Sequence, residues 1–386
     1  MDFFIKYKKK IMIFILVTIT TLILSIPFLS LTKTKNVKTV SKDLQIVTTT
    51  TMLKDLVKHL VGNVAEEEQN EYQKIEGIQV DSLMGVGIDP HNYKTKLSDR
   101  KKIKEADLVV INGLHLEAKM AEAFPLLTHN SFTVVQLDET HTKVINQKGD
   151  EKEHIQEKDI KRDEDTNGPD PHIWFDIDLW IKVLQQLKYK LETVLEKKIK
   201  EKDSRFNSED IGKLKENCET YACKLKLLDK YVDQKIKALK QQFSSQGRTF
   251  ILVTAHDAFS YLARKYNFQL SPIQGISTQT EASITNIEEL ANELVINQVK
   301  AIFVESAFPE GTLDSLKESV KSKGYNIKKS DEELYADALG SENEEPIEFE
   351  GDQDTYGNSK PTKYKHSTYI GALLHNINTI EKELKQ

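Results

Sequence analysis

Four short stretches carry side chains that suit a transition-metal ion: Asp89-Pro90-His91, Asp170-Pro171-His172, Ala255-His256-Asp257 and Tyr335-Ala336-Asp337. Three neutral imidazoles and one carboxylate form a donor set for four-coordinate Zn2+. They also accept Mn2+ or Fe2+ if the carboxylate chelates. With Pro 9 and His 10 in 386 residues, the tripeptide Asp-Pro-His should arise by accident on the order of 0.02 times. Two copies are therefore a signal. Each proline fixes backbone dihedrals beside a histidine, which lowers the entropy cost of holding that ligand in place. Taken singly, a histidine at a strand end is more often a satisfied polar residue, and Asp337 alone reads as a turn cap. The conjunction of His91, His172, His256 and Asp337 is what carries the metal reading. Asp89, Asp170 and Asp257, neighbours of the three histidines, read equally as acceptors for the second ring nitrogen or as turn caps. His115, His129, His366 and His375 read as surface or helix residues, and His59 as a residue on a helix face.

Ligands so far apart in sequence need a scaffold, and the hydropathy pattern predicts an α/β one. From Leu44 onward, short β-branched runs alternate with amphipathic stretches, as in parallel α/β units. Strands are expected at Gln45 to Thr51, Ile78 to Met84, Asp107 to Ile111 and Phe132 to Leu137. A helix is expected through Leu53, Leu56, Val57 and Leu60, another from Lys101 to Ala106 with Ser98 as N-cap, and another over Ala118 to Phe124. His141 to Gly168 is rich in charge and poor in apolar residues, so it reads as a solvated loop, with His141 and His154 in it. A helix from about Asp178 to Lys198 precedes a longer one, in which Leu214, Tyr221, Leu225, Leu228, Val232, Ile236 and Leu239 recur at three-to-four spacing. The second half repeats the alternation. Strands are expected at Thr249 to Ala255, Phe268 to Ile273, Ala301 to Glu305 and Asn326 to Lys329. Helices are expected at His256 to Tyr266, Ile287 to Asn297, Leu313 to Lys323 and Tyr369 to Leu384. The expected organisation is a leader (1–40), an N-terminal α/β lobe (41–205, with the charged loop 141–168), a linking helix (206–246) and a C-terminal α/β lobe (247–386, with an acidic insertion 342–365). His256 would follow directly on a strand, and ligand sites in open parallel sheets lie beyond the carboxyl ends of strands.

The net charge of -6 argues against nucleic acid as a partner, because duplex binding requires dense Lys and Arg. Lys6, Lys8, Lys9 and Lys10 precede Ile11 to Leu31, 21 residues without a charge, which fits either a signal peptide or an uncleaved anchor. The positive-inside rule then places the body outside the cytoplasm, at the periplasm or the outer face of the cytoplasmic membrane. Cys218 and Cys223, the two cysteines of the chain, would face different sides of a continuous helix and sit about 7.5 Å apart along its axis, a poor geometry for a bridge.

Read together, these stretches and their surroundings resemble a known family. Asp89-Pro90-His91-Asn92-Tyr93 with Leu97-Ser98-Asp99, Ala106 to Leu114 (ADLVVINGL), Asp170-Pro171-His172-Ile173-Trp174 with Asp176, Thr254 to Tyr261 (TAHDAFSY), Gly275 to Thr278 with Glu281, Tyr335 to Leu339 (YADAL) and Thr368-Tyr369-Ile370 are similar to the signatures of bacterial solute-binding proteins for zinc and manganese ABC importers. The resemblance runs in the family's order from about Gln45 to the C-terminus. It implies two parallel-sheet α/β lobes bridged by one long backbone helix, with the metal in the cleft between them and ligands at His91, His172, His256 and Asp337. A histidine at position 256 leans toward zinc, since manganese-selective members often carry Glu there. Two departures stand out. No cysteine follows the leader to carry a lipid, and the His-rich loop of the zinc-specialised branch is here the His-poor 141–168.

The expected function is capture of a divalent metal, zinc first and manganese or iron as alternatives, and its delivery to an ABC permease at the cytoplasmic membrane by a monomeric, non-enzymatic carrier. A surface adhesin on the same fold is the alternative. A zinc hydrolase is the lesser one, because the chain has no His-Glu-x-x-His helix, shows no Glu beside the histidines to act as base, and four protein ligands would close the position catalysis needs open.

Overall fold

Successive side chains along the strands join two different apolar clusters, and that alternation sets the architecture. In the computed structural model, which describes residues 42–126, 131–137, 154–163, 167–280, 282–309, 311–353 and 357–385, Leu44 and Ile46 of β1 (Leu44–Thr48) face one apolar cluster while Val47 faces another. Leu108 and Val110 of β3 (Leu108–Gly113) likewise join the first cluster, and Val109 and Ile111 the second. Successive strand side chains point to opposite faces, so a sheet apolar on both must be covered on both. With β2 (Ile78–Ser82) and β4 (Ser131–Val135) these strands form a parallel sheet of order β2-β1-β3-β4. Between them run α1 (Thr51–Leu60), capped by Thr50, and α2 (Leu97–Glu105).

The second lobe repeats the device. After α3 (Ile177–Lys200) and α4 (Ser208–Ser245) come β5 (Ile251–His256), α5 (Ser260–Tyr266), β6 (Gln269–Gln274), α6 (Ile284–Ile296), β7 (Ala301–Ile302), α7 (Gly311–Ser322) and β8 (Lys328–Lys329). β5 pairs with β6 and β7 with β8, all parallel. The N–H of Phe303 donates to Val253 O at 2.9 Å, which sets β7 beside β5. Leu252, Ala301 and Phe303 face the large shared core, and Val253, Ile302 and Val304 the outer one. The chain is an α/β protein of two parallel-sheet lobes.

The helix α4 holds the lobes together. Its 38 residues span about 57 Å at 1.5 Å per residue. Its apolar row from Leu214 through Tyr221, Leu225, Leu228, Val232 and Ile236 to Leu239 is buried in the core shared with α1, α3 and the C-terminal α8 (Tyr369–Lys385). Asn207 caps its start by accepting from Glu209 N at 2.7 Å. Cys218 and Cys223 are free thiols on this unbroken helix, the first buried and the second exposed.

Several boundaries differ from expectation. α2 starts at Leu97 rather than Lys101, because the Asp99 carboxylate, not Ser98, accepts the orphan Lys96 N–H (2.8 Å). The stretch 118–126 winds as 3-10 helix around Pro125, which lacks the N–H an α-helix needs there. His256 ends a strand instead of opening a helix, which begins four residues later. The segment 342–365 is not a featureless insertion. Strands β9 (Ile347–Phe349) and β10 (Thr362–Tyr364) pair antiparallel, Phe349 and Tyr364 are buried, and Lys224 of α4 reaches Asp352 at 2.8 Å. Of 141–168, residues 154–163 and 167–168 are described, and the first stretch is tied down by Ile155 and Ile160, both in the core. The leader, His129 and His141 lie outside the described residues, and among the described ones no helix is long and apolar enough to cross a membrane.

If α4 is the shared spine, Leu228→Ala should cost about 2–5 kcal/mol of unfolding free energy, read from urea denaturation. A loss under about 1 kcal/mol would show that this position is not packed as described.

Candidate metal centre

The four residues singled out by sequence meet at the carboxyl ends of the strands. His256 is the last residue of β5. His91 lies in the loop after β2, where Asp89 Oδ1 accepts its backbone N–H at 2.8 Å. His172 precedes a 3-10 turn (Ile173–Phe175), and its loop is held by Asn112 Nδ2 donating to Pro171 O (3.1 Å) and Tyr261 Oη donating to Asp170 O (2.9 Å). Asp337 follows β8 on a segment fixed at three points. Asn376 of α8 exchanges two hydrogen bonds with the Tyr335 backbone (2.8 Å each), Trp174 Nε1 donates to Ala336 O (3.0 Å), and Leu339 N donates to Thr51 Oγ1 (2.9 Å). Elements of both lobes therefore place the carboxylate.

One donor atom from each of the four residues falls within 4.8 Å of all the others. His172 Nε2 lies 3.2 Å from His91 Nε2 and 3.3 Å from Asp337 Oδ1, and His256 Nε2 lies 3.3 Å from Asp337 Oδ2. All four side chains are buried, none more than 3% exposed. Two inward atoms, His256 Nε2 and Asp337 Oδ1, make no well-formed hydrogen bond and have only the 3.3 Å pairings within the cluster. Buried polar atoms are rarely left so, and a bound cation is one remedy. The outward ring atoms are engaged. Asp170 Oδ1 accepts from His172 Nδ1 (2.7 Å) and Glu305 Oε2 from His256 Nδ1 (2.5 Å), which turns each Nε2 toward the common point.

The charges follow from these contacts. Burial pushes His91 down to about 3, its neighbours His172 and His256 adding to the effect, so it is neutral at physiological pH. Burial also disfavours charge on His172, but Asp170 and Asp337 outweigh it and raise this imidazole to about 9. His256 is raised well above the ordinary value against the same burial penalty by Glu305 and Asp337. Asp337 is held well below the carboxylate range despite its burial by the imidazoles around it. The metal-free pocket therefore carries protons on His172 and His256 where a cation would place its own charge. A protonated His172 Nε2–H donating to the lone pair of neutral His91 accounts for their short approach.

The neighbouring aspartates divide. Asp170 contacts the His172 ring, whereas Asp89 reaches His91 at its backbone N–H alone and also accepts from Asn92 and Thr278. Asp257 makes no contact with the His256 ring; successive residues at a strand end face opposite ways, and its burial raises it to about 6. The ring acceptor for His256 is Glu305, which sequence reading missed although it ends an apolar run, Ala301-Ile302-Phe303-Val304, next to β5. Its presence also corrects the expectation that no Glu stands beside the histidines, but Glu305 is committed to His256 and to the Ala255 and His256 backbone N–H groups (2.7 and 3.0 Å). Of the other histidines, His59 and His375 lie on helices as read, and both they and His366 are buried. His59 sits between Asp55 and Glu68 with its ring stacked on Tyr221, and His366 and His375 lie 4.8 Å apart behind Tyr335.

Residues 46–383 match the family model described as "ZnuA: Zinc-uptake complex component A periplasmic". Among similar proteins, the "Zinc-binding protein TroA" of Treponema pallidum is 32% identical over 327 residues, 85% of this chain and 88% of its own length. The "Manganese-binding lipoprotein MntA" of Bacillus subtilis is 29% identical over 348 residues, 90% and 92% of the two chains. A solved structure described as the periplasmic zinc binding protein TroA from Treponema pallidum superposes with a TM-score of 0.65 at 29% identity, covering 89% of this chain and 99% of that one.

If Glu305 orients His256, Glu305→Gln should weaken zinc binding by about 10–100-fold in competition titrations. Unchanged affinity would remove Glu305 from the account of the site.

Proposed function

The chain belongs to the zinc-uptake complex component A family of metal-binding proteins, and we propose that its cargo is bound by His91, His172, His256 and Asp337. The observation that carries this assignment is the convergence of four buried donors, whose inward atoms face one another and two of which make no well-formed hydrogen bond. The protein is an extracytoplasmic solute-binding component of an ABC metal importer, not an enzyme, and its ligand is zinc or manganese. Zinc is the favoured cargo, because three imidazoles and one carboxylate complete a tetrahedron and leave Mn2+ or Fe2+ dependent on a chelating carboxylate.

Capture replaces water on the ion by three Nε2 atoms and Asp337, with no covalent step. Asp170 and Glu305 keep the proton of each orienting pair on Nδ1, so that Nε2 is the donor. A hydrolase needs an open coordination position and a base. The four donors fill the first and Glu305 is already engaged, which disfavours that reading. Delivery to the permease requires the lobes, or the Asp337 segment, to separate, since no solvent-facing ligand exists among the four. In our reading the lobes are 41–205 and 247–386, the linking helix is 206–246, and the carrier works as a monomer without nucleic acid. Ile11 to Leu31 directs export and, with no cysteine before Cys218, any anchoring is by this apolar segment, unlike a relative named as a lipoprotein.

Elemental analysis after purification without added metal, then competition titration, tests the cargo. Zinc should predominate, and His91→Ala or His256→Ala should each lower zinc affinity by orders of magnitude; calorimetry showing intact binding in both variants would contradict the ligand set. The pH dependence has a definite sign. His172, raised to about 9, and His256 must lose their protons when metal enters. Metal binding therefore strengthens as pH rises toward 9, and the apparent Kd should increase on the order of 10–100-fold from pH 7 to pH 6, for one to two protons released. Calorimetry in buffers of different ionisation enthalpy measures the release, and a pH-independent Kd would contradict it.

A further inference from the structure

The loop that carries His91 is clamped by the second lobe at the rim of the centre. Thr278 Oγ1 donates to Asp89 Oδ2 at 2.7 Å and accepts from Asn92 Nδ2 at 2.9 Å, and Asn92 Nδ2 also donates to that Asp89 oxygen at 2.8 Å. Gln279 Nε2 donates to the His91 carbonyl at 3.1 Å. A further close approach lies in the same loop. Gly87 takes φ of 67°, and a Cβ on it would stand 3.6 Å from Ser306 O, in the chain that follows β7. Thr278 and Asp89 are half-buried, and Asn92 and Gln279 are exposed. Water can therefore take over these hydrogen bonds when the lobes part.

The two ends of this clamp are anchored at two of the proposed ligands. On the first lobe, Asp89 is one planar group with two tasks: Oδ1 accepts the backbone N–H of His91 at 2.8 Å while Oδ2 takes the Thr278 hydroxyl. On the second, 275–279 follows directly on β6, whose last residue Gln274 is in register with His256 of β5, and Asp257 N donates to Gly275 O at 3.3 Å. The clamp thus ties the backbone of His91 to the strand ends that carry His256. Hydrogen bonds to a carboxylate are among the stronger ones, so the Thr278 bond contributes more than an ordinary surface contact.

We propose that Thr278 and Gln279 are the latch of the loaded state, positioning residues that hold the His91 loop against the second lobe and so set how fast the metal leaves. The proposal rests on the capture reading above and takes, of the two openings named there, separation of the lobes. While the latch is shut, the His91 loop cannot withdraw from the ion without breaking the Thr278 bond to Asp89 and the Gln279 bond to the His91 carbonyl. Once it parts, both acceptors turn to water and His91 is free to leave. Metal enters before the latch closes, so these contacts act on dissociation and leave association nearly alone.

The test is release of Zn2+ from the loaded full-length protein into an excess of chromophoric chelator, followed by stopped flow. Thr278→Val keeps the branched shape and removes the hydroxyl, Gln279→Met keeps the length and removes the donor, and Thr278→Ser retains a hydroxyl. In the variant carrying both Thr278→Val and Gln279→Met, dissociation should quicken about tenfold and Kd should weaken in proportion, with association within about twofold of the parent. Thr278→Ser alone should release zinc at the parent's rate. Loaded with Co2+, the double variant should keep the parent's visible absorption spectrum, because its four ligands are unchanged. An unchanged dissociation rate, a Thr278→Ser variant as fast as Thr278→Val, or an altered Co2+ spectrum would each overturn the proposal. Absence of zinc binding by the parent protein would be a different failure, that of the capture reading itself, and would take this proposal with it.

Discussion

Two imidazoles pinned by carboxylates are the constraint on which the centre depends. Asp170 and Glu305 each take a ring N–H of a buried histidine, and in doing so aim His172 Nε2 and His256 Nε2 at Asp337. Burying such groups is costly unless each finds a partner. The outward atoms have theirs, while His256 Nε2 and Asp337 Oδ1 make no well-formed hydrogen bond and face only the other members of the cluster, at 3.3 Å. The Nε2 atoms and the Asp337 carboxylate thus face one another at 3.3 Å, and in the proposed loaded state a divalent cation takes the place of the protons that otherwise balance the carboxylate.

The fold serves that constraint by putting strand ends where the ligands must be. Parallel strands present all their carboxyl ends on one side, so β2, β5, β7 and β8 deliver His91, His256, Glu305 and Asp337 to a shared region without long detours. The Asp337 segment is tied to α1 through Thr51, to α8 through Asn376 and to the His172 loop through Trp174. The helix α4 is buried against elements of both lobes along its apolar row. The His91 loop is tied to the second lobe as well, Thr278 Oγ1 donating to Asp89 Oδ2 (2.7 Å) and Gln279 Nε2 to His91 O (3.1 Å).

Much of this was legible in the chain. The doubled Asp-Pro-His, the apolar strands and the three-to-four spacing of α4 each rest on local pattern, and local pattern is what sequence displays. What escaped was non-local. Glu305 becomes the acceptor for His256 only through the β5–β7 alignment, and Asp257, its neighbour in sequence, turns away because adjacent residues face opposite directions. The burial of His59, His366 and His375 was not legible, because nothing nearby in sequence announces the helices and tyrosines that cover them. The hairpin within 342–365 was hidden by its acidic composition, whose anchor, Lys224, lies more than a hundred residues away.

Anomalous diffraction from crystals of the zinc-loaded protein, collected across the zinc edge, tests the central claim most directly. The account predicts a dominant peak about 2.0–2.1 Å from the Nε2 atoms of His91, His172 and His256 and about 2.0–2.2 Å from an Asp337 oxygen. A dominant peak elsewhere, or one that any of these four side chains fails to reach, would contradict it.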